Sequence, residues 1–410
     1  MNKIMIKIYI KNIIIEIFVI FALVAGLFQI PSLQYVDELC EVLSIMYIIY
    51  YILINKKIAN NIEKILIFSF ALLIIGLFGN IFFSLQYNYI YVAQDIFSFF
   101  KPILIFIAVY LYINENTIIS LKKNLINISK ISIIALFITL LISLIIRSKV
   151  TLCYSSWVPI PSLPFFVFFT KYPALLAAYI SVLLVMILSD YKKNDILYVA
   201  MSTVLLVSTQ SGTAAMIVIL ELFIFFLLGK KKIKVYQIIF IVLIGIYFGM
   251  NEITTYLTNS TSARGLMYSN SIKLALKYFP FGTGFSTYGS VVAGKYYSKV
   301  YYILGYKSVW GLNGLTNDNF LYDTFYPIIF GQFGIVGTVI YIFYNIYLYL
   351  CFNKCIINRK SLLFGLFSTL IINFGQGAIL STFGMLMFIV LAVLFKDANL
   401  QKGWCNNELS

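Results

Sequence analysis

An arginine and two carboxylates could do chemistry together in one long polar stretch of the sequence, residues 251–333. The stretch contains Arg264, one of only three arginines among 30 basic residues, and it contains Asp318 and Asp323. Arginine binds phosphate oxygens through two parallel hydrogen bonds. Because the chain has no histidine, either carboxylate could serve as a general base. The alternatives are a headgroup contact for Arg264 and helix-cap or turn positions for the carboxylates.

Two lysines of the same stretch share one face of a predicted helix. Ser262 is a good N-cap, and the pattern after it predicts a helix over residues 263–278 that ends before Pro280. Lys273 and Lys277 lie four residues apart on this helix. A helix with lysines on one side and bulky apolar groups elsewhere on its surface is typical of a membrane interface.

A glycine-rich turn follows this helix. Gly282 and Gly284 flank Thr283, and such a turn could either bind phosphate or simply close the helix. No predicted strand precedes it, so it does not belong to a dinucleotide-binding unit.

Further polar residues lie in or beside apolar segments. Lys101 falls within a predicted membrane span, where it would either have a functional partner or extend its ammonium to the surface. Lys171 lies in a connector predicted to be external. Asp37, Glu38 and Glu41 begin another span and are interpreted as a solvated rim.

The composition places these residues in a membrane protein. The 410 residues are 61% hydrophobic and only 11% charged, whereas soluble domains carry about 25% charged residues. The apolar runs are continuous rather than alternating, which favours helices over a β-barrel. The sequence predicts an all-α, polytopic helical bundle, a single membrane domain over 1–410 with one long outer loop, 251–333. The twelve predicted spans are 12–30, 38–55, 65–85, 92–113, 131–147, 172–189, 196–210, 213–229, 235–250, 334–352, 362–380 and 382–396.

The distribution of basic residues predicts the orientation. Each predicted inner connector carries two to four lysines or arginines, whereas the short outer connectors together carry Arg147, Lys149 and Lys171. Cytoplasmic connectors are enriched in Lys and Arg. Both termini are therefore expected inside and the 251–333 loop outside. The net charge of +15 is explained by topology, so no nucleic-acid partner is expected.

Several motifs resemble those of bacterial O-antigen polymerases (Wzy) and O-antigen ligases. Arg264, the helix after it and the segment 280–285 resemble the family's arginine, amphipathic helix and P-x-G-x-G segment. Residues 318–321 and 334–337 resemble its [HD]-N-x-x-L and G-I-x-G motifs. Ligases usually carry a histidine where Asp318 stands, which favours a polymerase. The turn after the seventh span lacks the family's usual arginine.

The resemblance implies a glycosyltransferase at the outer face of the bacterial cytoplasmic membrane. A growing glycan on polyprenyl diphosphate would be transferred to a lipid-linked repeat unit of lipopolysaccharide or capsule. Expected partners are this lipid-linked oligosaccharide, membrane lipids and a chain-length regulator protein, and no cofactor or metal is expected. The catalytic residues would be Asp318 and Arg264. Substrate binding would involve Lys101, Lys171, Lys273, Lys277, Asn319, Gly282 and Gly284.

Two other functions fit the same sequence. A lipid-linked oligosaccharide flippase can also have about twelve spans, but its charged residues would be spread along a central cavity and its connectors would be short. An O-antigen ligase would share the layout of the polymerase. Both remain alternatives.

Overall fold

The structure is all-helical over the residues that it describes. This computed structural model describes residues 3–33, 35–55, 58–115, 117–145, 165–170, 172–224, 262–314 and 320–407. The helices are α1 Lys3–Phe28, α2 Val36–Asn55, α3 Asn60–Phe83, α4 Tyr89–Tyr112, α5 Ile118–Ile145, α6 Pro173–Ser189, α7 Ile196–Ser208, α8 Gly212–Leu222, α9 Ala263–Lys277, α10 Val291–Lys295, α11 Lys299–Ile303, α12 Tyr326–Asn353, α13 Arg359–Gly375 and α14 Thr382–Asn407.

Five of the described helices are long and apolar enough to cross a bilayer. They are α3, α4, α5, α12 and the Thr382–Gln401 part of α14. Shorter apolar helices include Asn12–Phe28, Pro173–Ser189 and Gly212–Leu222. The chain therefore has the character of a helical membrane protein. The ninth predicted span, 235–250, lies outside the described residues.

Helices α4, α6 and α14 form the centre of the bundle. Helix α4 packs between α2 and α14, and α6 packs against α5 and α13. Almost every residue of α6 between Leu176 and Ile187 is buried. Helices α3 and α12 pack together at the periphery, where many aliphatic side chains are exposed. Exposed aliphatic faces around a buried apolar centre are the arrangement expected of a bundle in lipid.

Residues 262–325, described except for 315–319, form a folded unit that we call the cap. The molecule has two hydrophobic cores, and the second lies in this unit. It contains Met267, Leu274, Tyr288, Tyr301 and Leu321, among others. Helix α9 opens the cap, and the Ser262 hydroxyl accepts a hydrogen bond from Gly265 N at 3.0 Å. The predicted helix over 263–278 is thus confirmed. The stretch predicted as a loop contains a structured domain-like unit.

Helix α12 begins at Tyr326, eight residues before the predicted start of the tenth span. Pro327 occupies its first turn, where the missing N–H costs nothing. Gly334 interrupts the helix with a φ of 62° and a ψ of −159°. The apolar pattern that begins at residue 334 therefore starts at the kink of α12, and the helix itself starts earlier.

Candidate functional site

Arg264 lies in the first turn of α9 and forms an ion pair with Asp323. Its Nε donates to Asp323 Oδ2 at 2.7 Å, and Nη2 lies 2.5 Å from the same oxygen. The two side chains keep 30% and 26% of their solvent exposure. The pair is therefore accessible to a ligand, and a partly exposed ion pair of this kind is weak enough to exchange partners.

Aromatic side chains connect this ion pair to the bundle. Tyr268, one turn beyond Arg264, donates a hydrogen bond to Phe374 O at 2.7 Å. The ring of Phe374 contacts both Tyr268 and Tyr326, with centroids 5.5 and 6.0 Å apart. Burial raises the pKa of Tyr268 above its ordinary value. Tyr268 is thus a neutral hydrogen-bond donor beside Arg264 and not a base.

Tyr326 also closes one end of an apolar groove between α12 and α13. The groove has a volume of about 380 Å³. Its walls include Ile329, Ile346, Phe367 and Leu370. Tyr326 donates to Leu370 O at 2.9 Å across this end. Since Phe374 joins Tyr326 to Tyr268, the groove ends beside the helix that carries Arg264.

The 280–285 segment packs backbone to backbone against the kink in α12. Thr283 N donates to Gly331 O, and Gly284 N donates to Gln332 O, both at 2.9 Å. A Cβ on Gly282 would lie 2.3 Å from Gly334 N, and one on Gly284 would lie 2.4 Å from Asn80 N. Both glycines are buried. They permit this close approach, and their predicted role in substrate binding stays a prediction.

Polar groups of α3 and α4 fix the end of this segment. The Asn80 side chain accepts from Phe285 N at 2.8 Å and donates to Phe285 O at 3.0 Å. The buried Asp95 carboxylate accepts from Ser286 N at 2.5 Å. These bonds satisfy backbone groups that the glycine turn would otherwise leave buried and unpaired. Residues far apart in sequence therefore hold the cap on the bundle.

Lys101 lies within α4 and forms a buried ion pair with α2. Its ammonium lies 2.8 Å from Asp37 Oδ2 and 3.6 Å from Glu38 Oε1. The Lys101 and Asp37 side chains are 4% and 5% exposed. The interpretation of Lys101 as extending to the surface is wrong. The interpretation of Asp37, Glu38 and Glu41 as a solvated rim is also wrong for Asp37 and Glu41, which are buried, but right for Glu38, which is exposed.

The carboxylates of Asp37, Glu38 and Glu41 form a cluster around Lys101. This cluster has more hydrogen-bond acceptor atoms than the described residues satisfy. Asp37 Oδ1 and Glu41 Oε1 have no hydrogen-bond partner among them. Lys101 is therefore committed to neutralising carboxylates, and its predicted contact with substrate stays a prediction. Phe99, two residues before Lys101, stacks on Phe325, two residues after Asp323, with centroids 6.0 Å apart.

Lys273 and Lys277 are exposed on α9 beside Ile272 and Leu276, which are also exposed. Lys277 lies 5.4 Å from the centroid of the Tyr278 ring. The exposed side of α9 is thus a mixed aliphatic and cationic surface, whereas the sequence predicted that lysines and bulky apolar groups would lie on different sides of this helix. These lysines lie farther along α9 than Arg264, in the second half of the helix.

Three predicted site residues, Asp318, Asn319 and Lys171, lie outside the described residues. Their roles stay predictions. Asp323, the alternative carboxylate, is the partner of Arg264. Within the described part of the chain, no group of three or more His, Cys, Asp or Glu side chains could hold a metal ion.

The sequence contained a signal for the cluster that was missed. Asp37 and Glu41 follow an i, i+4 spacing that places them on one side of a helix. A lysine within a span needs an acidic partner. Pairing these two observations would have predicted the contact between α2 and α4.

The sequence was also compared with family models, curated proteins and solved structures, and none of the three comparisons gives a match.

Proposed function

We propose that this protein is a polysaccharide polymerase that uses a polyprenyl-diphosphate-linked donor at the outer face of the cytoplasmic membrane. The observation that carries the proposal is the position of Arg264, partly exposed on α9, beside whose Tyr268 an apolar groove between α12 and α13 ends. Such a groove suits an isoprenoid tail, and a guanidinium suits the diphosphate next to it. The proposal includes the twelve spans, the cytoplasmic termini and an external cap.

The proposed reaction transfers the growing glycan from its lipid to an acceptor sugar. The bond between the anomeric carbon and the diphosphate oxygen breaks, and the acceptor hydroxyl oxygen forms the new glycosidic bond. The hydroxyl proton passes to a carboxylate, for which Asp318 is the candidate. The leaving polyprenyl diphosphate gains negative charge, which Arg264 would stabilise. No nucleotide sugar or cofactor is needed in this scheme.

Asp323 would position the arginine in this scheme. Both Nε and Nη2 of Arg264 point at one carboxylate oxygen, which fixes the plane of the guanidinium. A diphosphate that approaches this accessible pair would compete for some of these donors. Asp323 is therefore assigned as a positioning residue and not as a second catalytic base.

Deletion of the gene tests the proposal in the source cells. Single repeat units should still reach the surface lipid, and the ladder of longer chains should disappear on a gel. Loss of the single unit as well would contradict a polymerase. That result would favour the flippase or the ligase.

The flippase is the second candidate because of the cluster around Lys101. Buried ionisable groups within membrane helices mark transport pathways in many carriers. A transport assay with fluorescent lipid-linked oligosaccharide in sealed vesicles distinguishes the two. Protein-dependent movement across the bilayer without chain extension would replace the polymerase by the flippase.

A further inference from the structure

The cap carries a second exposed surface, on the side formed by α10, α11 and the connector before α4. We call it the tyrosine–lysine surface and define it by Tyr87, Tyr296, Tyr302, Lys295, Lys299 and Lys307. All six residues are exposed. Tyr87 and Tyr302 retain 68% and 56% exposure, although large aromatic side chains are usually more fully buried.

The lysines of this surface are held by aromatic rings. Lys299 lies 5.3 Å from the Tyr87 ring centroid, and Lys295 lies 5.6 Å from that of Tyr296. Lys307 lies over two rings, Tyr297 at 4.7 Å and Tyr302 at 5.2 Å. Cation–π contacts of this length orient the ammonium groups without neutralising them.

No acidic residue compensates this charge nearby in the chain. The sequence has no Asp or Glu between Glu252 and Asp318, although it has six basic residues there. Among the described residues, none of the three surface lysines forms an ion pair. The surface therefore keeps three positive charges beside exposed ring faces.

The rings beneath the lysines are rigidly supported. Tyr296 stacks on Tyr91 of α4 with centroids 3.6 Å apart and planes 9° from parallel. Tyr297 packs on Tyr301, which is fully buried in the cap core. Burial and the neighbouring Tyr306 raise the pKa of Tyr288 in that core well above its ordinary value. Tyr288 is thus a neutral hydrogen-bond partner of Tyr306, whose hydroxyl lies 2.8 Å from its own.

We propose that the tyrosine–lysine surface binds an acidic glycan, a polymer with carboxylate-bearing sugars. Exposed tyrosine faces can stack on the apolar faces of sugar rings, and the ammonium groups between them match the carboxylates. The exposed side of α9 differs, since it presents the aliphatic Ile272 and Leu276 beside its lysines and suits lipid instead. The statement that this glycan is the growing polysaccharide chain rests on the proposed function. The statement that the surface binds an acidic glycan does not.

Binding of oligogalacturonate to the purified full-length protein tests this proposal, with maltooligosaccharide of equal length as the neutral probe. Calorimetry should show binding of the acidic oligomer only. Raising the salt from 50 to 500 mM should weaken it, because exposed charge pairs are screened. The combined substitutions Lys295→Gln, Lys299→Gln and Lys307→Gln should weaken binding about tenfold, as expected for three exposed ion pairs of modest strength.

Three exposed lysines elsewhere, Lys123, Lys193 and Lys354, provide the matched control. Their combined substitution by Gln removes the same charge and should leave binding unchanged. Equal binding of the two oligomers, salt-independent binding, or equal losses in the two triple variants would overturn the proposal. So would binding of phosphatidylglycerol vesicles through Lys295, Lys299 and Lys307 without competition by oligogalacturonate, which would assign the surface to a membrane.

The same assay separates this proposal from the polymerase. It needs no donor lipid and no turnover. If the ladder persists after gene deletion while oligogalacturonate binds, only the polymerase fails. If chains are extended but the acidic oligomer does not bind, only the acidic-glycan surface fails.

Discussion

Two ion pairs of the molecule differ in what surrounds them. Arg264 and Asp323 lie at the edge of the cap and keep 30% and 26% of their side-chain exposure. Lys101 and Asp37 lie between α4 and α2 and keep 4% and 5%. A buried charge cannot leave its partner without a large desolvation cost, whereas an accessible one can exchange its partner for a ligand. The difference gives Lys101 a structural ion pair, and it agrees with the role proposed for Arg264 in binding the diphosphate.

The largest effect on stability is expected at the buried pair. Lys101→Ala leaves the Asp37 carboxylate buried without its cation, which should destabilise the protein by about 3–5 kcal/mol. Thermal unfolding in detergent, followed by size-exclusion chromatography, measures this loss. The double variant Lys101→Met with Asp37→Leu is the control, because it removes both charges and should recover much of the stability. A fully stable Lys101→Ala protein would contradict the structural role.

The next effect is expected where the cap meets α12. Gly282→Ala combines a positive φ of 74° with a Cβ that would lie 2.3 Å from Gly334 N. Both the strain and the clash oppose folding, so a loss of about 2–4 kcal/mol is expected. Limited proteolysis should cut the cap of this variant before the bundle. Gly305→Ala is the matched control, because its φ is also positive and nothing lies within 4 Å of its Cβ.

A smaller effect is expected at the Asn80 contact. Asn80→Ala removes the two hydrogen bonds to Phe285 and leaves buried backbone groups unpaired. The expected loss is about 1–3 kcal/mol. Hydrogen exchange should increase at residues 283–287 and stay unchanged at the far ends of α5 and α14. Unchanged protection at 283–287 would show that the contact does not hold the cap in place.

The smallest effect on stability is expected at the exposed pair. Arg264→Ala should cost about 1 kcal/mol or less, since exposed ion pairs contribute little. Its unfolding temperature should therefore stay close to that of the wild type. A loss as large as that of Lys101→Ala would remove the contrast between the two pairs and make Arg264 a structural residue.

Local sequence signals predicted the parts of the fold that depend on neighbours in the chain. Ser262 and Pro280 located α9, and the apolar pattern after Gly334 located the main part of α12. The early start of α12 was missed because Pro327, Gly331 and Gln332 interrupt the apolar pattern of residues 326–333. The ninth predicted span lies outside the described residues.

Contacts between distant residues could not be read from local patterns. Lys101 and Asp37 are 64 residues apart, and only the packing of α2 against α4 brings them together. The tyrosines of the 251–333 stretch also differ in solvent exposure. Tyr301 is fully buried in the cap core and cannot stack on a sugar, whereas Tyr302 next to it is exposed. Which tyrosine is buried depends on the core of the cap, and that core is built from several segments that are distant in the sequence.

Turnover by purified protein tests the role of Arg264 most directly. Wild type and Arg264→Ala would be given defined polyprenyl-diphosphate-linked repeat units, and released polyprenyl diphosphate and chain length would be measured together. Loss of one preorganised donor to a developing anion costs about 100- to 1,000-fold in rate, so the variant should remain folded and form chains at least 100-fold more slowly. Equal rates of chain formation by the two proteins would contradict the account.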